Sequence, residues 1–192
     1  MQINTSHSFE LVLELGKYEA QQLHVSVVEP PHLFLGICKV LVIDLIKDVS
    51  LDHVDDFLGF EKHDALEEIL RETRRVREIF DSAGSDPNPL HRKIIESLGV
   101  GQGFICGMNQ LSLSTSAEVL VGVATQFAKA GDYQVLPIHL LKAILNARND
   151  VIERALRYFF YDRKKLLEAV ELELILRHSP MDFDGLGSAR WN

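Results

Sequence analysis

One short pattern occurs twice in this chain, and that recurrence limits the folds open to it. The segment Val135-Leu136-Pro137-Ile138-His139-Leu140-Leu141-Lys142-Ala143-Ile144-Leu145 repeats the layout of Val28-Glu29-Pro30-Pro31-His32-Leu33-Phe34-Leu35-Gly36-Ile37. Each copy has a valine, a proline two residues on, a histidine, and then an apolar run holding one small residue, Gly36 or Ala143. Proline is tolerated in the first turn of a helix, where its missing N–H had no partner to lose. Both copies therefore read as helices that start just before the histidine.

The agreement continues upstream. Phe9, Val12, Leu13, Gly16, Ala20 and Leu23 recur at steps of three and four, as do Ala117, Leu120, Val121, Ala124, Ala128 and Gly131. That spacing marks a helix buried along one face. Ser8 and Glu10 find counterparts in Ser116 and Glu118. Self-similarity at an offset of about 107 residues indicates duplication. Two units that each leave an apolar face uncovered can cover one another.

A helix with a small-residue stripe, a turn, then a Pro/Glu-x-His-Leu-Leu-x-Gly/Ala-Ile/Leu helix, all duplicated, resembles the N-terminal domain of the Clp/Hsp100 chaperone ATPases. The resemblance spans Ser8 to Ile37 and Ser114 to about Glu171. It implies an all-α fold in which two similar four-helix repeats pack about a pseudo-twofold axis, here with an extra charged helix between them. The corresponding layout is a first repeat over residues 1–60, the inserted charged helix and a Pro/Gly-rich connector over 61–111, a second repeat over 112–177, and a flexible tail over 178–192. By the same resemblance the histidines shape the fold, and such a domain catches substrate proteins or adaptors for an ATPase ring.

Composition agrees with one compact body. A chain of 192 residues buries roughly 70% of its unfolded surface. A net charge of −8 argues against sequence-independent nucleic-acid binding, which needs a basic face. No apolar run reaches the roughly 18 residues of a membrane span, and the N-terminus lacks the basic start and apolar centre of a signal peptide. The two cysteines, Cys38 and Cys106, sit among apolar neighbours and read as reduced, buried thiols, so the cytosol is the expected compartment.

Further helices are expected at about 42–49, 52–58, 62–81, 91–98, 150–160 and 162–177, with almost no strand signal. The segment Ala83-Gly84-Ser85-Asp86-Pro87-Asn88-Pro89 reads as the clearest break. Gly99-Val100-Gly101-Gln102-Gly103 has neither the lysine and hydroxyl of a phosphate loop nor the spacing of a dinucleotide loop, and reads as a flexible connector.

Little in the sequence suggests chemistry, so a non-enzymatic protein with no cofactor and no metal is expected. His32 and His139 have no second ligand one turn away, whereas metal sites need convergent ligands. His63-Asp64 carries the dipeptide of HD-type metal-dependent phosphohydrolases, and His53 and Asp81 are the residues available to complete such a site. That enzyme is one alternative. A structural or regulatory homodimer using the charged helix is the other.

The leading expectation is a protein-binding module, adaptor or accessory factor without ATPase modules, as in the plant Clp accessory subunits. Its partner would be a protein or peptide, including a Clp ATPase or protease assembly or its substrates, with no nucleic acid and no membrane. Two stretches are candidate contact sites. Tyr158, Phe159, Phe160 and Tyr161 are consecutive, and successive helical residues point about 100° apart, so a continuing helix would leave a ring outside the core. Arg71, Arg74 and Arg75 cluster on the charged helix, where i,i+4 pairs with Glu67 and Glu78 also suit a solvated face.

Overall fold

The computed structural model describes residues 4–42, 62–101, 111–129 and 134–178. The first repeat opens at Ser6, whose Oγ accepts the Phe9 N–H at 3.0 Å and caps α1 (His7–Gln22). The second opens at Ser114, whose Oγ accepts the Ala117 N–H at 3.2 Å at the start of α5 (Thr115–Lys129). In each case the hydroxyl satisfies one of the amide protons that a helix start leaves without a partner.

The histidine helices follow, α2 (Pro30–Val42) and α6 (Pro137–Ala147). Packing of α1 on α2 is closest at two glycines. A Cβ on Gly36 would fall on the Val12 carbonyl oxygen and lie 2.9 Å from the Gly16 nitrogen. Ala124 and Ala143 hold the matching places in the α5–α6 pair, and both are buried.

Strands were not expected, yet two short parallel bridges link the repeats. β1 (Asn4–Thr5) pairs with β4 (Gln134–Val135), and β2 (Val27–Val28) pairs with β3 (Ser112–Leu113). Each repeat's lead-in to its first helix thus pairs with the other repeat's lead-in to its histidine helix. The Ser6 N–H donates to the Val135 carbonyl and the Ser114 N–H to the Val28 carbonyl, both at 3.0 Å. These matched bonds express the pseudo-twofold relation.

The charged helix, α3 (Lys62–Ser82), is followed by α4 (Pro87–Leu98), and the second repeat ends with α7 (Asp150–Tyr158) and α8 (Arg163–His178). The two corners match bond for bond. The Ser85 N–H reaches back to the Phe80 carbonyl at 2.8 Å, and the Tyr161 N–H to the Leu156 carbonyl at 2.9 Å. Gly84 and Phe160 both have positive φ, 66° and 58°. Asp86 and Asp162 then accept from the N–H groups of Asn88 and Lys164 at 2.9 and 2.8 Å, capping α4 and opening α8.

Alignment of Phe80 with Leu156 sets Arg74 against Asp150. The last turns of α3 therefore correspond to α7, and the extra charged turns, residues 62–73, have no counterpart there. Packing obeys the same pairing: α2 lies on α4 as α6 lies on α8, and α3 crosses to α8 as α7 crosses to α4. One core runs through both repeats, with Phe9, Phe34, Phe80, Leu33, Leu140 and Leu141 fully buried.

Two expectations need correction. Pro87-Asn88-Pro89 forms the first turn of α4 and is not part of the break, which is confined to residues 83–86; Asp86 supplies the cap, and a proline in the first turn sacrifices no helical bond. The glycine cluster is not a loose connector at its start. Gly99 closes α4 with φ 70°, and the Gly101 N–H donates to the Leu23 carbonyl at 2.7 Å, so close to His24 that a Cβ would lie 2.8 Å from its carbonyl oxygen. The helix expected at 42–49 beyond Val42, which ends α2, the helix expected at 52–58, the loop beyond Gly101, and the tail beyond His178, which ends α8, lie outside the described residues.

Candidate functional site

The two histidines are buried and act on their own helices. His32 Nδ1 accepts the Glu29 N–H at 2.9 Å, and His139 Nδ1 accepts the Leu136 N–H at 3.0 Å. An imidazole here replaces the side chain that closes a capping box. For His32, burial pushes the pKa down, against the opposing pull of Glu29 and Glu19. A ring held neutral is what its accepting Nδ1 requires.

Next to it lies the main buried charge cluster of the first repeat. Glu19 on α1, 3% exposed, has Lys39 Nζ from α2 and His91 Nε2 from α4 each 3.2 Å away. Burial opposes ionisation of Glu19, but these two basic groups outweigh it and hold the carboxyl below its ordinary value. Cys38 is fully buried beside this cluster, and burial drives its thiol pKa far up, with Glu19 and Asp86 adding to the effect. Such a thiol is inert. Cys106 lies outside the described residues.

The proposed HD set does not assemble. Asp64 and Asp81 sit on the same helix, seventeen residues apart, so about 25 Å separates them along its axis. His53 is outside the described residues. Among the described residues no three His, Cys, Asp or Glu side chains gather in a way that could hold a metal ion, and no helix is long and apolar enough to cross a membrane.

The arginine candidates divide. Arg71 and Arg75 each place a nitrogen 3.5 Å from Glu72, a buried carboxylate that also meets Arg177 from α8. That cluster ties α3 to α8 across the two repeats. Arg74 is exposed.

The aromatic run is divided as well. The helix ends at Tyr158, and the corner turns Phe159 and Tyr161 onto the core with their rings stacked at 5.6 Å. Tyr158 stays 61% exposed, with Lys93 Nζ 4.2 Å from its ring centre, and Phe160 is 95% exposed. Phe160 stands where the other corner has Gly84, in a conformation that L side chains disfavour.

Sequence reasoning missed a groove between the repeats. Its volume is about 590 Å³, and its walls include Glu29 and Pro30 at the start of α2, Thr115 and Val119 on α5, and Ala147 and Arg148 at the end of α6. Val119 is 59% exposed, whereas its counterpart on α1, Leu11, is 5% exposed. At Arg148 and Asp150 the groove adjoins a second hollow of about 580 Å³, lined also by Glu153, Arg154, Arg157 and Arg163. Arg163 is partly engaged, 2.9 Å from Glu153 and donating to the Leu145 carbonyl at 2.7 Å.

Eight described helices in two matched sets, bridged by crossed strand pairs, define an all-α duplicated fold of the Clp N-domain type. The chain is similar in structure to the N-terminal domain of the caseinolytic protease associated chaperone ClpD from Arabidopsis thaliana, with a TM-score of 0.50 and 17% identity, over 90% of this chain and 94% of that one. It is also similar to a chain from preliminary structural investigations of a malarial protein secretion system, with a TM-score of 0.59 and 11% identity, over 90% of this chain and 95% of that one. No protein-family profile and no curated protein sequence matches it.

Proposed function

We propose that this chain is a non-enzymatic protein-binding module, an adaptor or accessory factor of Clp-type chaperone and protease assemblies that works in the cytosol. The observation that carries the reading is the groove between the repeats, where a wall built from the apolar residue Val119 is left open to solvent. An exposed aliphatic wall beside polar groups is the usual makeup of a peptide-contact surface. The fold shared with the ClpD N-terminal domain supports the same reading. The exposed rings of Tyr158 and Phe160 and the exposed Arg74 supply further contact area.

Site-specific photocrosslinking tests it. A photoreactive side chain is placed at Val119, at Phe160, or at exposed Arg92 on α4 as a control. In extract from the source cells, Val119 is expected to trap a defined protein partner, identified by mass spectrometry, that Arg92 does not trap. Equal labelling at Val119 and Arg92, or no protein partner at Val119, would overturn the assignment.

A further inference from the structure

We infer that the open face of α5 is a docking surface for an acidic, amphipathic helix of a partner protein, because the matching face of α1 already carries such a helix from this chain. The inference rests on the protein-binding reading and names the partner's chemistry. On α1, the covering element is the extra N-terminal part of α3. Ala65 and Ile69 are buried there, at 4% and 1% exposure. Between them Glu68 lies 2.7 Å from His7 Nδ1 and accepts from the Ser8 N–H and Oγ at 3.5 and 3.4 Å. A carboxylate at a helix start meets both the free amide protons and the positive end of the helix dipole.

On α5 the same positions are bare. Thr115 and Ser116 take the places of His7 and Ser8 and are exposed, where Ser8 is buried. Val119 takes the place of Leu11, and Leu120 that of Val12. Among the described residues no element lies over them as residues 62–73 lie over α1, because α7 begins at Asp150 and has no equivalent turns. The groove therefore has the apolar floor and the helix start of its twin, but, among the described residues, not the twin's occupant.

Charge points the same way. Glu29 is the acidic group on the α2 side, and its carboxylate already accepts from Ser114 Oγ at 3.1 Å. The adjoining hollow is lined by Arg148, Arg154, Arg157 and Arg163 against Asp150 and Glu153. A helix with aliphatic residues one turn apart, a carboxylate between them and further acids on its flank would match this surface. Residues 62–73 have that character, with Asp64, Glu67, Glu68 and Glu72 against Lys62 and Arg71.

The probe is a helix-stapled, fluorescein-labelled peptide of residues 62–73, titrated into the full chain by fluorescence anisotropy. Saturable binding is expected. It should weaken about tenfold or more for Val119→Glu, for Ser116→Glu, or when the peptide carries Glu68→Lys. Both protein positions are exposed, so circular dichroism should show an unchanged fold. Failure to bind, or equal affinity for wild type and Val119→Glu, would overturn the inference. A crosslinked partner at Val119 that docks through an extended or basic segment would also overturn it, while leaving the protein-binding reading in place.

Discussion

Gly36 lies so close to Val12 that a single added methyl group would strike the Val12 carbonyl oxygen. Both partners are backbone in helices, so neither can swing aside. Gly36→Ala is expected to destabilise the protein by about 1–3 kcal/mol through overpacking, although alanine is the better helix former by about 0.5–1 kcal/mol. Ala143→Gly in the other repeat should lose that propensity term and, because Ala143 is buried, about 0.8 kcal/mol for its methyl group, with no steric clash. Urea unfolding of the two variants checks the order; a Gly36→Ala protein as stable as wild type would show that α1 and α2 can part freely.

Acid should lower the protein's stability over two pH ranges. His32 has a depressed pKa in the folded state, so below about pH 6.5 the unfolded chain takes up its proton more readily. Its contribution is full above that pH and declines as pH falls. Glu19 has a lowered carboxyl pKa, so its contribution holds above the ordinary carboxylate range and is lost as pH drops through the folded value. Stability measured against pH should fall first below the histidine range and again in the carboxylate range. His32→Asn should make the first decline smaller and leave the second unchanged.

Glu72 and Arg177 join α3 to α8 with little solvent between them, their side chains 3% and 10% exposed. Glu72→Gln removes the buried carboxylate and leaves Arg177 only Glu173, 3.5 Å away on its own helix, and is expected to cost about 2–3 kcal/mol. Arg74→Ala, on the exposed side of the same helix, should change stability by less than about 0.5 kcal/mol. Chemical denaturation of both variants tests the difference, and equal effects would dismiss the ion pair as a structural link.

Phe160 carries a strained backbone and a fully wetted ring at the α7–α8 corner. Phe160→Gly should therefore raise stability by about 1 kcal/mol, since glycine occupies left-handed geometry without steric cost. If the ring is a contact residue, the same variant should lose partner crosslinking. A fall in thermal midpoint would show that the ring packs in solution.

Much of this fold was legible in the residue order, for a physical reason: helix starts and buried stripes follow fixed spacings. Ser6, Ser114, the two prolines and the two histidines announce their helices directly. The crossed bridges were not legible, because two-residue strands such as Asn4–Thr5 show no alternation. Nor was the match between the α3 and α7 corners, since Ala83-Gly84-Ser85 and Phe159-Phe160-Tyr161 share no residue type and only Asp86 and Asp162 agree. Alignment on those two aspartates would have exposed the surplus of residues 62–73, and with it the uncovered face of α5. The Glu19–Lys39–His91 and Glu72–Arg177 clusters join helices far apart in sequence, and no local spacing marks them.

The crossed strand pairs have a consequence for any half-length version of the chain. Neither half contains the mate of its own bridge: Thr5 needs Val135 and Val28 needs Leu113. A fragment ending before Ser112 would leave both of its edges bare, and the geometry offers a ready remedy, because a second identical fragment could lend each missing edge in return. Cutting this protein in two should therefore give a tangled pair of halves, not two independent ones.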